Sequence, residues 1–230
     1  MAMTQELYAE SVVQNYPVGM RYARDDRVFR YCLAGPGVVS QQGAFNNHTW
    51  PINAALTAQA NAGATTMSVP DAAGALNAYA GGWIAIYTGN IQFRRIKSNT
   101  VSDGVNVVLT FYDALTYVAA IGTWCTGYPS IYSDVRGGCV ALELGFVTFV
   151  VVPMFAVTNG RYFWGQTWGP CVTSGGTPSG ATIHTRDVYF FQTGDIVPAT
   201  AGDCRQRAGT VLPFTSNGNG DAFFMLEISP

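Results

Sequence analysis

Apolar positions in this chain recur mostly at every second residue, in short runs closed by glycine, asparagine or aspartate. Period two is the spacing of a β-strand with one face buried. Val18, Met20 and Tyr22 alternate, and after Asp25-Asp26 the pattern resumes through Val28, Phe29, Tyr31 and Leu33, a predicted hairpin turning at the two aspartates and ending at Gly35-Pro36-Gly37. Thr65, Met67 and Val69 alternate; Trp83, Ile84, Ile86 and Tyr87 follow a Gly-Gly; Ile91, Phe93 and Ile96 follow Gly89-Asn90; residues 105–112 follow Asp103-Gly104. Beyond about Ile121 the β-rich segments FVTFVVVPMFAV, RYFWGQTWGPCV, VYFFQTG, GTVLPFTS and DAFFMLEIS are separated by Asn159-Gly160, Gly175-Gly176, Gly194-Asp195 and Gly218-Asn219-Gly220. No long segment repeats with the helical period of 3.6. Short strands with turn signals every ~8–12 residues predict an all-β fold, one or two small sandwich or barrel modules.

The expected organisation is an N-terminal arm over 1–16, a hairpin over 17–45 that joins the C-terminal module, a linker over 46–63, a central β module over 64–120 and a C-terminal β module over 121–230. Within the arm, Leu7, Tyr8 and Val12 suit one face of a short helix over residues 4–14, or an extended arm that orders on binding. The Ala-, Asn- and Gln-rich linker suggests a helical piece near residues 52–60.

Composition sharpens this picture. Of 230 residues 48% are hydrophobic and only 11% charged, against a usual charged share of about a quarter. The surface is therefore unusually neutral, which favours association. Net charge is -2 with no basic stripe, which argues against a nucleic-acid backbone as partner. Lys97 is the sole lysine; arginine in its place suits interfaces and equally a genomic bias in codon use. The N-terminus lacks a basic start followed by an apolar run, and residues 146–157, the longest apolar stretch, are too short to span a bilayer. The expectation is a protein made in a cytosol, soluble, with no membrane partner.

Candidate chemistry is sparse. His48 and His184 are the only histidines; His184 stands near Arg186 and Asp187 but without a nucleophile motif. Asp25-Asp26 reads as a turn, and Glu143 and Glu227 are the remaining carboxylates considered for acid–base work. Five cysteines (Cys32, Cys125, Cys139, Cys171, Cys204) contain no C-x-x-C pair, so no metal site is expected, no cofactor is implied, and the thiols are expected reduced and buried, or bridged as Cys125–Cys139 and Cys171–Cys204 after lysis. No enzyme is predicted. The aromatic run Tyr162, Phe163, Trp164 and Trp168 suits a core plus subunit interface better than a sugar platform. Candidate interface residues are Leu7, Tyr8, Val12, Val13, Tyr162, Trp164 and Trp168.

Three stretches together carry a resemblance. YPVGMRYARDDRVFRYCLAGPGV, then GATTMSVP with AYAGGWIAIYTG, RRIKSN and VVLTFYDAL, and finally GRYFWGQTWGPC resemble a group of small tailed-bacteriophage virion proteins. Asp25-Asp26 stands where that group has a glycine turn, and the match loosens after Cys171. What the resemblance implies is a capsid decoration (cement) protein: a β-rich homotrimer on the capsid surface, with the major capsid protein as partner and its arm and last strands linking to neighbours. The alternatives weighed beside it are a head-fibre or tail component that binds host surface glycans, and a hydrolase of cell-wall polymer.

Overall fold

A computed structural model describes residues 4–46, 52–138, 147–173, 186–198, 206–212 and 223–230. The chain is all-β, and no helix forms among the described residues. It divides into two compact units, one made of residues 1–47 and 132–230 and the other of His48–Ile131.

The strands run in chain order as follows. β1 (Arg21–Arg24), β2 (Arg27–Leu33) and β3 (Ala44–Asn46) belong to the first unit. β4 (Ile52–Ala55), β5 (Thr66–Pro70), β6 (Trp83–Ile86), β7 (Gln92–Asn99), β8 (Asn106–Phe111) and β9 (Trp124–Tyr128) build the central unit. β10 (Thr148–Pro153), β11 (Tyr162–Val172), β12 (Asp187–Phe190), β13 (Ile196–Pro198), β14 (Gln206–Val211) and β15 (Phe223–Glu227) complete the first.

In the first unit the sheet order is β1-β2-β11-β15-β14-β12-β13, with β10 joining β11 to β3. All these pairs are antiparallel. The hairpin of β1 and β2 turns at Asp25-Asp26, with Asp25 at φ 55°, the left-handed region that aspartate tolerates through local side-chain bonding. β2 hands the N-terminal segment to the far end of the chain by pairing residues 28–33 with 162–168. β14 crosses β15 so closely at Gly209 that a Cβ there would lie 1.7 Å from the Met225 carbonyl oxygen, and φ is +154°.

The central unit orders its strands β4-β9-β6-β7-β8-β5, again antiparallel. Between the named strands the ladder continues: Leu56 donates to the Thr123 carbonyl, Ala60 and Ala119 bond each other, and Gly63 and Leu115 extend the run toward β5. The stretch 52–70, interrupted by bends at 57–58 and a turn at 62–63, thus runs alongside 106–128, which brings the two ends of the sheet order together. Its inward positions (Ile52, Leu56, Met67, Val69, Ile84, Ile86, Ile96, Val107, Leu109, Phe111) form one buried cluster, each such side chain contributing about 1.5–3 kcal/mol.

Two expected elements differ. Residues 52–60 form strand β4 and extended chain in place of a helix, because pairing with β9 overrides the weak strand preference of Asn53, Ala54 and Ala55. Residues 121–131 belong with the central unit, since β9 pairs with β4 and β6. The N-terminal arm forms turns and bends and no helix.

Candidate interaction surfaces

The arm is seated on its own chain. Ser11 and Tyr162 exchange both backbone hydrogen bonds, at 2.9 and 2.8 Å. Gln5, buried, donates from Nε2 to the Ala9 and Tyr162 carbonyls and accepts at Oε1 from the Tyr31 hydroxyl at 2.7 Å and from Asn15 Nδ2 at 3.0 Å. Glu10 accepts from Thr158 N and Oγ1. Leu7, 2% exposed, packs with Phe29, Tyr31 and Trp164. Trp164 is enclosed by Tyr16, Tyr22 and Tyr31 with ring centroids 4.9–5.7 Å away, and Tyr162 stacks on Tyr31 at 5.8 Å. Burial shifts the Tyr31 phenol upward.

This corrects two of the expected interface residues: Leu7 and Trp164 lie inside this chain's own core, because the arm folds back over the aromatic face of β2 and β11. Tyr162 and Trp168 are half-buried, while Tyr8, Val12 and Val13 remain exposed.

A larger exposed surface lies on the central unit. Strict alternation sends Ile84, Ile86, Ile96 and Cys125 inward and leaves Trp83, Tyr87, Phe93, Trp124 and Tyr128 on the outer face of β4-β9-β6-β7. Trp83 lies opposite Tyr128 on one side and Arg95 on the other. Trp83 and Phe93 stack at 4.7 Å with planes 2° apart. The Trp124 indole donates to Asn53 Oδ1 at 2.8 Å, which fixes its ring. Arg95 covers the Tyr112 ring at 5.4 Å. Partial burial and then the nearby Tyr87 phenol raise the pKa of Tyr128, so those two phenols share the patch. Six rings about half exposed (Tyr112 included), at about 200 Å² each, present about 600 Å², the upper end for the largest apolar patch of a typical monomer. The signal was present in the sequence: Trp83, Tyr87 and Phe93 stand at odd positions and Ile84, Ile86 and Ile96 at even ones.

Charge is concentrated away from this unit. Residues 48–131 carry three carboxylates (Asp71, Asp103, Asp113) and three cations (Arg94, Arg95, Lys97). Both outward-facing cations of the aromatic sheet, Arg95 and Lys97, sit on β7, and β4, β9 and β6 add none.

Of the residues weighed for catalysis or metal binding, His48, His184 and Glu143 lie outside the described residues. Glu227 accepts from Arg207, which also pairs with Asp187 at 3.0 Å, and Asp25-Asp26 forms the hairpin turn. Among the described residues no cluster of His, Cys, Asp and Glu could hold a metal ion, and no helix is long and apolar enough to cross a membrane. Cys32, Cys125 and Cys171 are free and buried. Desolvation pushes the Cys125 thiol up to about 11, that of Cys171 up to about 12, and that of Cys32 further still. Cys139 and Cys204, the partners in the alternative disulfide pairing, lie outside the described residues. An open cleft of about 460 Å³ beside the hairpin turn is lined by Tyr8, Asp26, Arg27, Gln166, Cys171 and Phe223 among others; burial favours the protonated form of the Cys171 thiol there.

Fold and surface define a class: an all-β chain of two antiparallel units with an exposed aromatic sheet face. No protein-family model matches this chain, and no curated protein or solved structure matches it either.

Proposed function

We propose that this chain is a non-enzymatic structural component of a tailed-phage particle, binding the outside of the capsid lattice as an oligomer, a homotrimer by resemblance, and stabilising it. The observation that carries the reading is the aromatic outer face of the central unit. Rings held half in water gain about 25 cal/mol for each Å² that a partner covers. One face offers about 600 Å², less than the roughly 800 Å² each partner gives in a standard interface. Several copies joined in one oligomer would dock several such faces at once, and avidity then replaces area. A repeating lattice supplies the matching sites, and neither a cofactor nor a metal is needed.

The test is an antibody against this chain applied to intact particles from the same genome, together with a particle map. Density on the head surface, with Trp83 and Phe93 facing capsid protein, is the expected result. Particles that lack the chain, or carry it only on the tail, overturn the reading. Light scattering of the purified chain should give about three times 24.6 kDa. The second reading, host-glycan binding by a head-fibre or tail component, is favoured by the fixed Trp124 indole beside the polar Asn53 and Thr126; a glycan-array signal lost in Trp124→Ala would support it.

A further inference from the structure

The β1–β2 hairpin carries an unusual cross-strand pattern. Arg21 lies directly opposite Arg30, and Arg24 opposite Arg27. Like charges facing each other across an antiparallel pair are destabilising. Among the described residues no ion pair involves any of the four, although Asp25 and Asp26 adjoin them in the turn. Arg27 spends its guanidinium on the Phe29 ring at 5.4 Å and a 3.5 Å contact with the Tyr8 hydroxyl. Arg30 donates to Ser229 Oγ at 3.3 Å and to the Pro230 main-chain oxygen at 3.1 Å and lies 5.8 Å over the Tyr132 ring, while its buried Nε has no partner. Arg21 and Arg24 are exposed.

Among the described residues β1 is also the last strand in its sheet order and pairs only with β2. Alternate residues of such a strand turn their N–H and C=O groups toward open solvent, a template for another strand. Tyr22 packs on Trp164, so Arg24 shares the Tyr22 face and Arg21 projects from the opposite one.

We propose that the free edge of β1 is a docking site for an extended acidic polypeptide segment of another chain, added as a further strand. Charge complementarity selects the occupant. A strand laid beside β1 places residues three apart opposite Arg21 and Arg24, one on each face, so the preferred segment carries carboxylates at i and i+3. Main-chain hydrogen bonds supply affinity and the two carboxylates supply specificity and register. This surface is independent of the aromatic face and of the reading built on it.

The experiment is fluorescence polarisation of the full chain with two labelled peptides of equal composition, both extended and valine-rich. One has glutamates three residues apart and the other has them adjacent. The spaced peptide is expected to bind at least tenfold tighter, to weaken with salt, and to lose at least tenfold with R21Q/R24Q. That variant removes a like charge from each pair, so its melting temperature should equal or exceed the parent's, and R21E should raise it by placing a carboxylate opposite Arg30. Equal binding of both peptides, no binding of either, binding unmoved by R21Q/R24Q, or a lower melting temperature in that variant overturns the proposal. Equal competition by a single-stranded oligonucleotide does so too, because it shows a site for anions without strand pairing.

Discussion

Leu7→Ala tests whether the arm belongs to its own chain. Leu7 is 2% exposed against Phe29, Tyr31 and Trp164. Truncation removes three carbons from a closed pocket, about 2.4 kcal/mol at about 0.8 kcal/mol per carbon, before any cavity is counted. The arm lies near a chain end and can settle partly into the space, so a net loss of about 2–3 kcal/mol is expected. For a unit of this size that lowers the melting point by about 5–10 °C. The assay is thermal unfolding over a wide dilution series, with hydrogen exchange read at the Ser11 and Tyr162 amides, which bond each other's carbonyls. Both amides should exchange faster in the variant, and the shift in melting point should not vary with protein concentration. An unchanged melting point with equal protection would refute the burial argument. A shift that grows on dilution would show instead that another copy of the chain covers Leu7.

Further outcomes follow from the same packing. F93S/W124S should abolish particle binding, since burying the exposed part of Phe93 alone, about 120 Å², is worth about 3 kcal/mol at the interface; the covered halves of the two rings are worth up to about 4–5 kcal/mol to the central unit by the same rule, so circular dichroism at the binding temperature should show the variant still folded while the binding is lost. Gly209→Ala should destabilise the first unit by more than about 2 kcal/mol, seen as loss of soluble, sharply melting protein, since its methyl would overlap the Met225 carbonyl at a positive φ. Stability should fall above about pH 9: Cys32, Cys125 and Cys171 have thiol pKa values raised by burial above the ordinary 9.0, so the unfolded chain releases protons that the folded chain keeps, and each thiol removes up to about 1.4 kcal/mol per pH unit between its unfolded and folded values. Urea titrations at pH 7 and pH 10 check the sign, and a pH-independent midpoint refutes it. The same three thiols should react with a disulfide reagent only on unfolding.

Fold class was legible because it is written locally. The turns at Asp25-Asp26, Gly89-Asn90 and Asp103-Gly104 and the period-two runs beside them need no knowledge of distant chain. What each strand pairs with is different. β4 is poor in strand-forming residues and exists because β9, some seventy residues on, bonds to it; the same pairing carries the central unit past residue 120. Burial of aromatics follows the same logic. Trp164 and Trp83 both stand in β-rich surroundings, but Trp164 meets Tyr16, Tyr22 and Tyr31, whereas Trp83 stands on the parity opposite the buried Ile84 and Ile86. Parity marks Trp83 as exposed within its own strand, whereas the burial of Trp164 depends on rings that the topology brings to it from the arm and from β1 and β2.

The division of charge between the two units gives the proposed contacts different physical characters. The central face has cations on one strand only and otherwise rings among a few small neutral side chains such as Asn53 and Thr126, so its docking would draw chiefly on apolar burial, which ionic strength scarcely weakens and excluded salts strengthen. The arginine-paired edge of β1 is exposed, where screening at ~0.15 M already shortens the reach of a charge to about 8 Å. A chain that used only the first would bind any apolar surface of suitable shape. One that used only the second would release its partner as salt rises. Placing them on separate units lets the apolar face hold while the charged edge selects, and salt titration of particle binding and of peptide binding would resolve the two as a flat and a falling curve.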